Sequence, residues 1–79
     1  MKILLFGIAR EIAGQQRLEV PPDEQPETVA DLRAWVNKRY GALAGLKSFA
    51  IAVDNEYAED HVKLYPSSEI ALIPPVSGG

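Results

Sequence analysis

The residues best suited to chemistry lie at the end of the chain, in the segment Pro74-Pro75-Val76-Ser77-Gly78-Gly79. Glycine has no Cβ, so a Gly78-Gly79 end can enter a channel too narrow for other residues. The two prolines fix φ and donate no hydrogen bond to a neighbouring strand, so they keep the chain extended as it leaves a sheet. We therefore expect a folded domain over residues 1–75 and a flexible arm over residues 76–79 that reaches into another protein.

The reactive group of this arm is the α-carboxylate of Gly79. A carboxylate of ordinary pKa is ionised near neutral pH and is a poor electrophile, so it needs activation before it can react. Adenylation by ATP would supply a good leaving group, and a sulfur donor could then displace it to leave a thiocarboxylate. The sequence contains no cysteine, so sulfur carried by this chain would have to reside at the terminus. A Gly-Gly end taken alone is more typical of a frayed terminus, and it indicates function only together with the preceding prolines, the short chain and the order of elements.

The composition indicates one ordinary globular domain and excludes several kinds of site. The chain has 79 residues, of which 47% are hydrophobic and 24% charged, and a net charge of −3. Its basic residues are scattered, which disfavours nucleic-acid binding. The apolar start, residues 1–8, is too short to span a membrane and no small-residue cleavage site follows it. We expect a soluble cytoplasmic protein with no membrane or nucleic-acid partner.

Few other side chains are candidates for chemistry. His61 is the sole histidine and has no cysteine partner, so no metal site is predicted. Ser77 has no base beside it and is interpreted as a small tail residue. Arg10 follows the first apolar run, where it is either a solvent-exposed residue or a partner for acidic groups on an activating enzyme.

Hydrophobic periodicity predicts the elements that position the arm. The apolar run Met1–Ile8 is typical of a buried strand, and residues 9–13 form a helical turn closed by Gly14. Alternation over residues 15–20 predicts a second strand, which ends at Pro21-Pro22. Apolar residues at helical spacing predict one long helix over Val29–Tyr40, with Thr28 as its N-cap and Gly41 after its end.

The second half of the chain is predicted to be mostly strand. Residues 49–53 form a strand, Asp54-Asn55 is a turn signal, and residues 56–58 and 69–73 follow as further strands. Residues 42–48 and 60–68 are interpreted as loops. The order β-β-α-β-β-β is typical of an α+β ubiquitin-like (β-grasp) roll, a mixed sheet of about five strands on one main helix.

Residue parity predicts which apolar side chains lie away from the core. Because Lys2 belongs in solvent, Leu4 and Phe6 share its outer face, and Ile73 lies outward on the last strand. Tyr57 joins them if its strand pairs nearby. Such a patch beside the arm is typical of a protein interface, although scattered exposed apolar residues are also common on sheets.

Together these residues resemble the family of molybdopterin synthase sulfur carrier subunits. The ending matches that family's Pro-Pro-Val-(Ser/Thr)-Gly-Gly motif, and the similarity covers nearly the whole chain. The other matching positions are Phe6, Ala9-Arg10-Glu11, Gly14, Asp31-Leu32-Arg33, Ala52-Val53 and Glu69-Ile70-Ala71. One residue and one segment depart from the family pattern: Tyr57 replaces an aliphatic residue, and Tyr65-Pro66-Ser67-Ser68 replaces an acidic Asp/Gly-rich turn.

The resemblance implies a subunit that is not an enzyme on its own. Gly79 would be adenylated by a ubiquitin-activating-like adenylyltransferase, which binds the nucleotide, and a sulfurtransferase would supply the sulfur of the thiocarboxylate. The adenylyltransferase would use ATP, and no cofactor would stay bound to this chain.

The resemblance also implies a large catalytic subunit as partner, in a two-plus-two heterotetramer. Sulfur would pass there to cyclic pyranopterin monophosphate, in molybdenum cofactor biosynthesis. Gly78 would thread the channel, and the remaining contacts would come from Phe6, Tyr57, Ile73, Pro74, Pro75, Val76 and Ser77. Two alternatives stay open: a ubiquitin-like modifier that joins target lysines, and a sulfur carrier for thiamine thiazole synthesis.

Overall fold

Strands from both ends of the chain meet at the centre of one mixed sheet. The computed structural model describes residues 1–41, 43 and 49–74, and its strands pair in the order β2-β1-β5-β3-β4. The strands are β1 (Lys2–Leu5), β2 (Arg17–Glu19), β3 (Ala50–Val53), β4 (Glu56–Ala58) and β5 (Ile70–Ile73). β1 runs parallel to β5, and the β1–β2, β3–β4 and β3–β5 pairs are antiparallel. This arrangement confirms the predicted mixed β-grasp sheet.

The long helix α2 (Val29–Arg39) packs on one face of the sheet. The Thr28 side chain accepts a hydrogen bond from the Asp31 backbone N–H at 3.3 Å, so Thr28 is the predicted N-cap. Val29, Leu32 and Val36 are fully buried, because residues at this spacing lie on one side of a helix. The helix ends at Arg39, one residue before the predicted end, and Tyr40 is its C-cap.

The loop before β5 also holds the beginning of α2. The first backbone N–H groups of a helix have no partner within it. The Val62 carbonyl accepts from the Val29 N–H and the Asp60 carbonyl from the Ala30 N–H, each at 3.0 Å. Arg33 adds an ion pair to the Asp60 carboxylate at 3.0 Å. The polar connection therefore fixes the helix against the sheet.

The first strand is shorter than predicted, and a helix begins earlier. β1 ends at Leu5, and α1 (Gly7–Ala13) starts where the apolar run was interpreted as strand. The backbone turns at Gly7, which has φ +54°, a region that glycine adopts readily. Gly14, with φ +73°, ends α1 as predicted. A short 3-10 helix, Pro22–Glu24, follows β2.

The β3–β4 hairpin has the predicted two-residue turn. Asp54 and Asn55 have φ of +50° and +70°, the positive values that a type I′ turn requires. The Asp54 carboxylate accepts from the Glu69 N–H at 2.9 Å, and the Asp54 N–H donates to the Glu69 carbonyl at 2.8 Å. These bonds join the turn to the beginning of β5.

The core lies between α2 and the inner face of the sheet. Its fully buried side chains include Ile3, Leu18, Leu32, Ile51 and Leu72. Within the predicted loop 42–48 the structure describes Leu43 alone, which is buried in this core. No helix within the described ranges is long and apolar enough to cross a membrane. The boundary predicted at residue 75 lies outside the described residues.

Candidate functional site

The outer face of the sheet carries a row of apolar residues with small side chains in its middle. The strand register places Leu4 opposite Ala71, Ala71 opposite Ala52, and Ala52 opposite Tyr57. Opposed residues of neighbouring strands project to the same face. Two alanines therefore lie between the larger side chains of Leu4 and Tyr57.

This row forms a pocket of about 320 Å³, which we call the outer-face pocket. It is lined by Leu4, Phe6, Ala52, Asn55, Tyr57, Glu69, Ile70, Ala71 and Ile73. Leu4, Phe6 and Tyr57 are 43%, 49% and 74% exposed, whereas Ala52 is only 7% exposed. Large exposed side chains thus surround a floor of small ones.

The structure brings together three of the residues predicted to contact a partner. Phe6, Tyr57 and Ile73 come from three different parts of the chain and line this one pocket. The predicted parity of β1 and β5 is confirmed, since Ile3, Leu5, Ile70 and Leu72 are buried. The role of these residues in binding stays a prediction.

Pro74, the first residue of the Pro74-Pro75 pair, packs against the turn at Gly7. A Cβ added to Gly7 would lie 3.2 Å from Pro74 Cγ, closer than ordinary van der Waals contact. The absence of a side chain at Gly7 therefore allows Pro74 to approach this closely. Gly7 directly follows Phe6, which lines the outer-face pocket. Pro75, Val76, Ser77, Gly78 and Gly79 lie outside the described residues.

Arg10 is not part of the pocket. It is exposed on α1 and does not line the outer-face pocket. His61 is exposed in a turn, with Nδ1 3.7 Å from the Glu59 carboxylate. Across residues 1–41, 43 and 49–74, no group of three or more His, Asp and Glu is placed to hold a metal ion.

A second, more polar depression adjoins the outer-face pocket. It has a volume of about 470 Å³ and shares Leu4, Glu69 and Ile70 with it. Its other lining residues are Met1, Lys2, Glu19, Pro66 and Ser68. The apolar part of the outer face therefore has charged residues along the side away from Ile73.

Sequence reasoning missed the contributions of Gly7, Ala52 and Ala71 to this site. Alanine alternates with large residues over residues 49–53, a pattern that predicts a strand but does not by itself predict a pocket. The sequence signal that could have located the pocket is that Ala52 and Ala71 both fall on the outward face of their strands. The proximity of Gly7 to Pro74 has no local signal, because it depends on how β1 and β5 pair.

Solved structures place the fold among ubiquitin-like β-grasp proteins. The small archaeal modifier protein SAMP1 of Haloferax volcanii is 26% identical, with a TM-score of 0.80, over 99% of this chain and 97% of that one. Subunits 1 and 2 of the molybdopterin-converting factor of Helicobacter pylori form a solved complex. A chain of that complex is 24% identical, with a TM-score of 0.66, over 99% of this chain and 96% of its own length. At 24% identity, the likeness to the H. pylori chain shows a shared fold and nothing further.

Sequence comparison then identifies the family. The model described as "ThiS family" matches residues 3–79. A molybdopterin synthase sulfur carrier subunit of Caenorhabditis briggsae is 38% identical over 84 residues, covering 100% of this chain and 96% of that protein. The chain therefore belongs to the ThiS family, and its resemblance to the molybdopterin synthase sulfur carrier subunits is confirmed.

Proposed function

We propose that this protein is the sulfur carrier subunit of a molybdopterin synthase. The observation that carries the proposal is the similarity to such subunits along the whole chain, at 38% identity for the nematode protein. The sequence also holds the family's Pro-Pro-Val-Ser-Gly-Gly motif and no cysteine. A thiocarboxylate is therefore the form of carried sulfur that suits this chain.

In the proposed cycle the Gly79 carboxyl group is loaded and unloaded by other proteins. A carboxylate oxygen attacks the α-phosphate of ATP, which forms the acyl adenylate and releases pyrophosphate. A hydrosulfide-level nucleophile delivered by the sulfur donor then attacks the acyl carbon and AMP departs, which leaves the thiocarboxylate. The thiocarboxylate sulfur then bonds to a carbon of cyclic pyranopterin monophosphate, and water hydrolyses the resulting acyl–sulfur bond, which restores the carboxylate. The large catalytic subunit supplies the acid-base groups.

The outer-face pocket is the proposed contact with the large subunit. Phe6, Tyr57 and Ile73 line it, and Pro74 directly follows Ile73, so the last described residues before the arm lie at the edge of the pocket. An exposed apolar surface of this kind is suited to protein binding. Arg10, on α1, is a proposed contact for the activating enzyme. The complex of the H. pylori subunits is a precedent for a large-subunit partner, and the two-plus-two assembly and cytoplasmic location belong to the same proposal.

The proposal is tested by the intact mass of the protein purified from its native host. We expect a fraction of the molecules to carry one sulfur atom in place of one oxygen, located by fragmentation at Gly79. Removal of Gly79 should abolish both this mass shift and the ability to restore molybdenum cofactor synthesis in a deficient strain. A truncated protein that restored synthesis would refute the tail chemistry, provided that circular dichroism shows both proteins folded.

A second candidate is a ubiquitin-like modifier, which the likeness to SAMP1 favours. The activated Gly79 carboxyl would then form an isopeptide bond with a target lysine. Gly-Gly remnants on lysines of other proteins, found by peptide mass spectrometry, would support this role. Rescue of a thiazole-deficient strain instead of a molybdenum cofactor-deficient one would indicate the third alternative, sulfur supply to thiamine.

A further inference from the structure

The outer-face pocket is a depression with small side chains at its floor. Its floor contains Ala52 and Ala71, which lie opposite each other on β3 and β5. The larger side chains of Leu4 and Tyr57 continue the same row on either side. A flat apolar face would need large residues across the whole row, so the two alanines create the depression.

We propose that this pocket receives an apolar side chain of the partner that accepts the arm, and that Ala52 and Ala71 determine which side chain fits. This inference rests on the proposed function, since it specifies how the carrier recognises the large subunit. A volume of about 320 Å³ leaves ample room for a large apolar side chain. Anchoring of an interface by a few buried side chains in pockets is common.

The place where the chain leaves the sheet, at Ile73 and Pro74, indicates which protein supplies the inserted side chain. Ile73 lines the pocket and Pro74 follows it, next to Gly7. Residues 75–79 extend at most about 18 Å, so a channel that holds Gly79 lies within that distance of Pro74. A protein that encloses the arm therefore lies against the surface from which it leaves, which is the surface around this pocket.

The polar rim further defines the partner's chemistry. Asn55 and Glu69 line the pocket beside its apolar residues. The Glu69 side chain makes no ion pair within the described part of the chain, and its backbone N–H is bound by Asp54. We therefore expect a lysine or arginine next to the inserted apolar side chain on the partner, because a cation there complements the carboxylate.

The proposal is tested by substitutions that fill the pocket with a larger side chain at Ala71. Affinity for the large subunit from the same organism is measured by isothermal titration calorimetry for Ala71, Ala71→Val and Ala71→Leu. We expect graded weakening, reaching about tenfold or more for leucine, because added methyl groups occupy the space of the incoming side chain. If the face made only a general hydrophobic contact, the affinity would be unchanged or higher in the variants, since they add apolar surface. Equal or higher affinity of Ala71→Leu would overturn the proposal.

Two controls make the result specific. Ala34→Leu makes the same change on the exposed side of α2 and should leave the affinity unchanged. Thermal unfolding verifies that each variant is folded, and Ala71→Val serves if leucine disturbs the sheet. If the unmodified chain neither binds the large subunit nor carries sulfur, the proposed function fails. If it does both and Ala71→Leu binds equally well, the pocket inference alone fails.

Discussion

Phe6 and Ile8 are apolar side chains of nearly equal exposure, 49% and 50%, with different surroundings. Phe6 lines the outer-face pocket with Tyr57 and Ile73, whereas Ile8 lies on α1 and does not line it. Single exposed apolar residues are common on protein surfaces, whereas contiguous clusters of them usually mark an interaction surface. Exposure alone therefore does not identify a docking residue.

This difference predicts the effect of placing a charge at each position. Phe6→Asp should weaken binding of the large subunit by about tenfold or more, because it puts a carboxylate into a surface that becomes desolvated. Both Phe6→Asp and Ile8→Asp should remain folded, since neither parent side chain is in the core. Titration calorimetry of both variants measures the difference. Equal affinities would argue against the pocket as the docking site.

At the scale of elements, the β3–β4 hairpin holds part of the pocket in place. Its turn residues Asp54 and Asn55 both have positive φ, and Asp54 binds the backbone of Glu69 at the beginning of β5. The turn thereby links the strand that carries Tyr57 to the strand that carries Ala71. A weaker turn should loosen both the fold and the pocket.

Substitution at Asn55 tests the turn. Asn55→Gly should raise the free energy of unfolding by about 0.5 kcal/mol, because glycine adopts positive φ without strain. Asn55→Val should lower it by about 1–2 kcal/mol, since a β-branched residue is strained there. Chemical denaturation monitored by Trp35 fluorescence would give both values. A stability unchanged in both variants would mean that the turn contributes little.

At the scale of the molecule, β5 joins the core to the outer-face pocket, the proposed docking surface. It is the central strand, with Ile70 and Leu72 buried on one side and Ala71 and Ile73 on the other. It also pairs in parallel with β1, so the beginning of the chain and the strand that precedes the arm lie side by side. Stability and the proposed binding therefore depend on alternate residues of the same strand.

This alternation predicts which apolar residues support the fold. Leu72→Ala should cost about 2–5 kcal/mol, because it leaves a cavity in the core. That is a large part of the roughly 4–12 kcal/mol expected for a domain of 79 residues. Leu4→Ala, at a 43% exposed position on the outer face, should cost less than about 1 kcal/mol. Thermal unfolding of both variants measures the contrast, and similar costs would contradict the assignment of faces.

Local patterns predicted most elements of the fold. The spacing of Val29, Leu32 and Val36 located α2 to within one residue at its end, because helical periodicity is a local property. The same reasoning extended the first strand to Ile8, since an apolar run does not reveal a backbone turn. The turn at Gly7 changed that strand into β1 followed by α1.

The sequence by itself determined the family motif at residues 74–79, the lack of cysteine and the side of the sheet on which Phe6 and Ile73 lie. Those properties follow from residue types and from the two-residue period of a strand. Only the tertiary structure decided that Leu4, Ala71, Ala52 and Tyr57 form one row, and that Pro74 packs on Gly7. The reason is that strand pairing joins residues far apart in the chain, and its register depends on the whole core rather than on any local pattern.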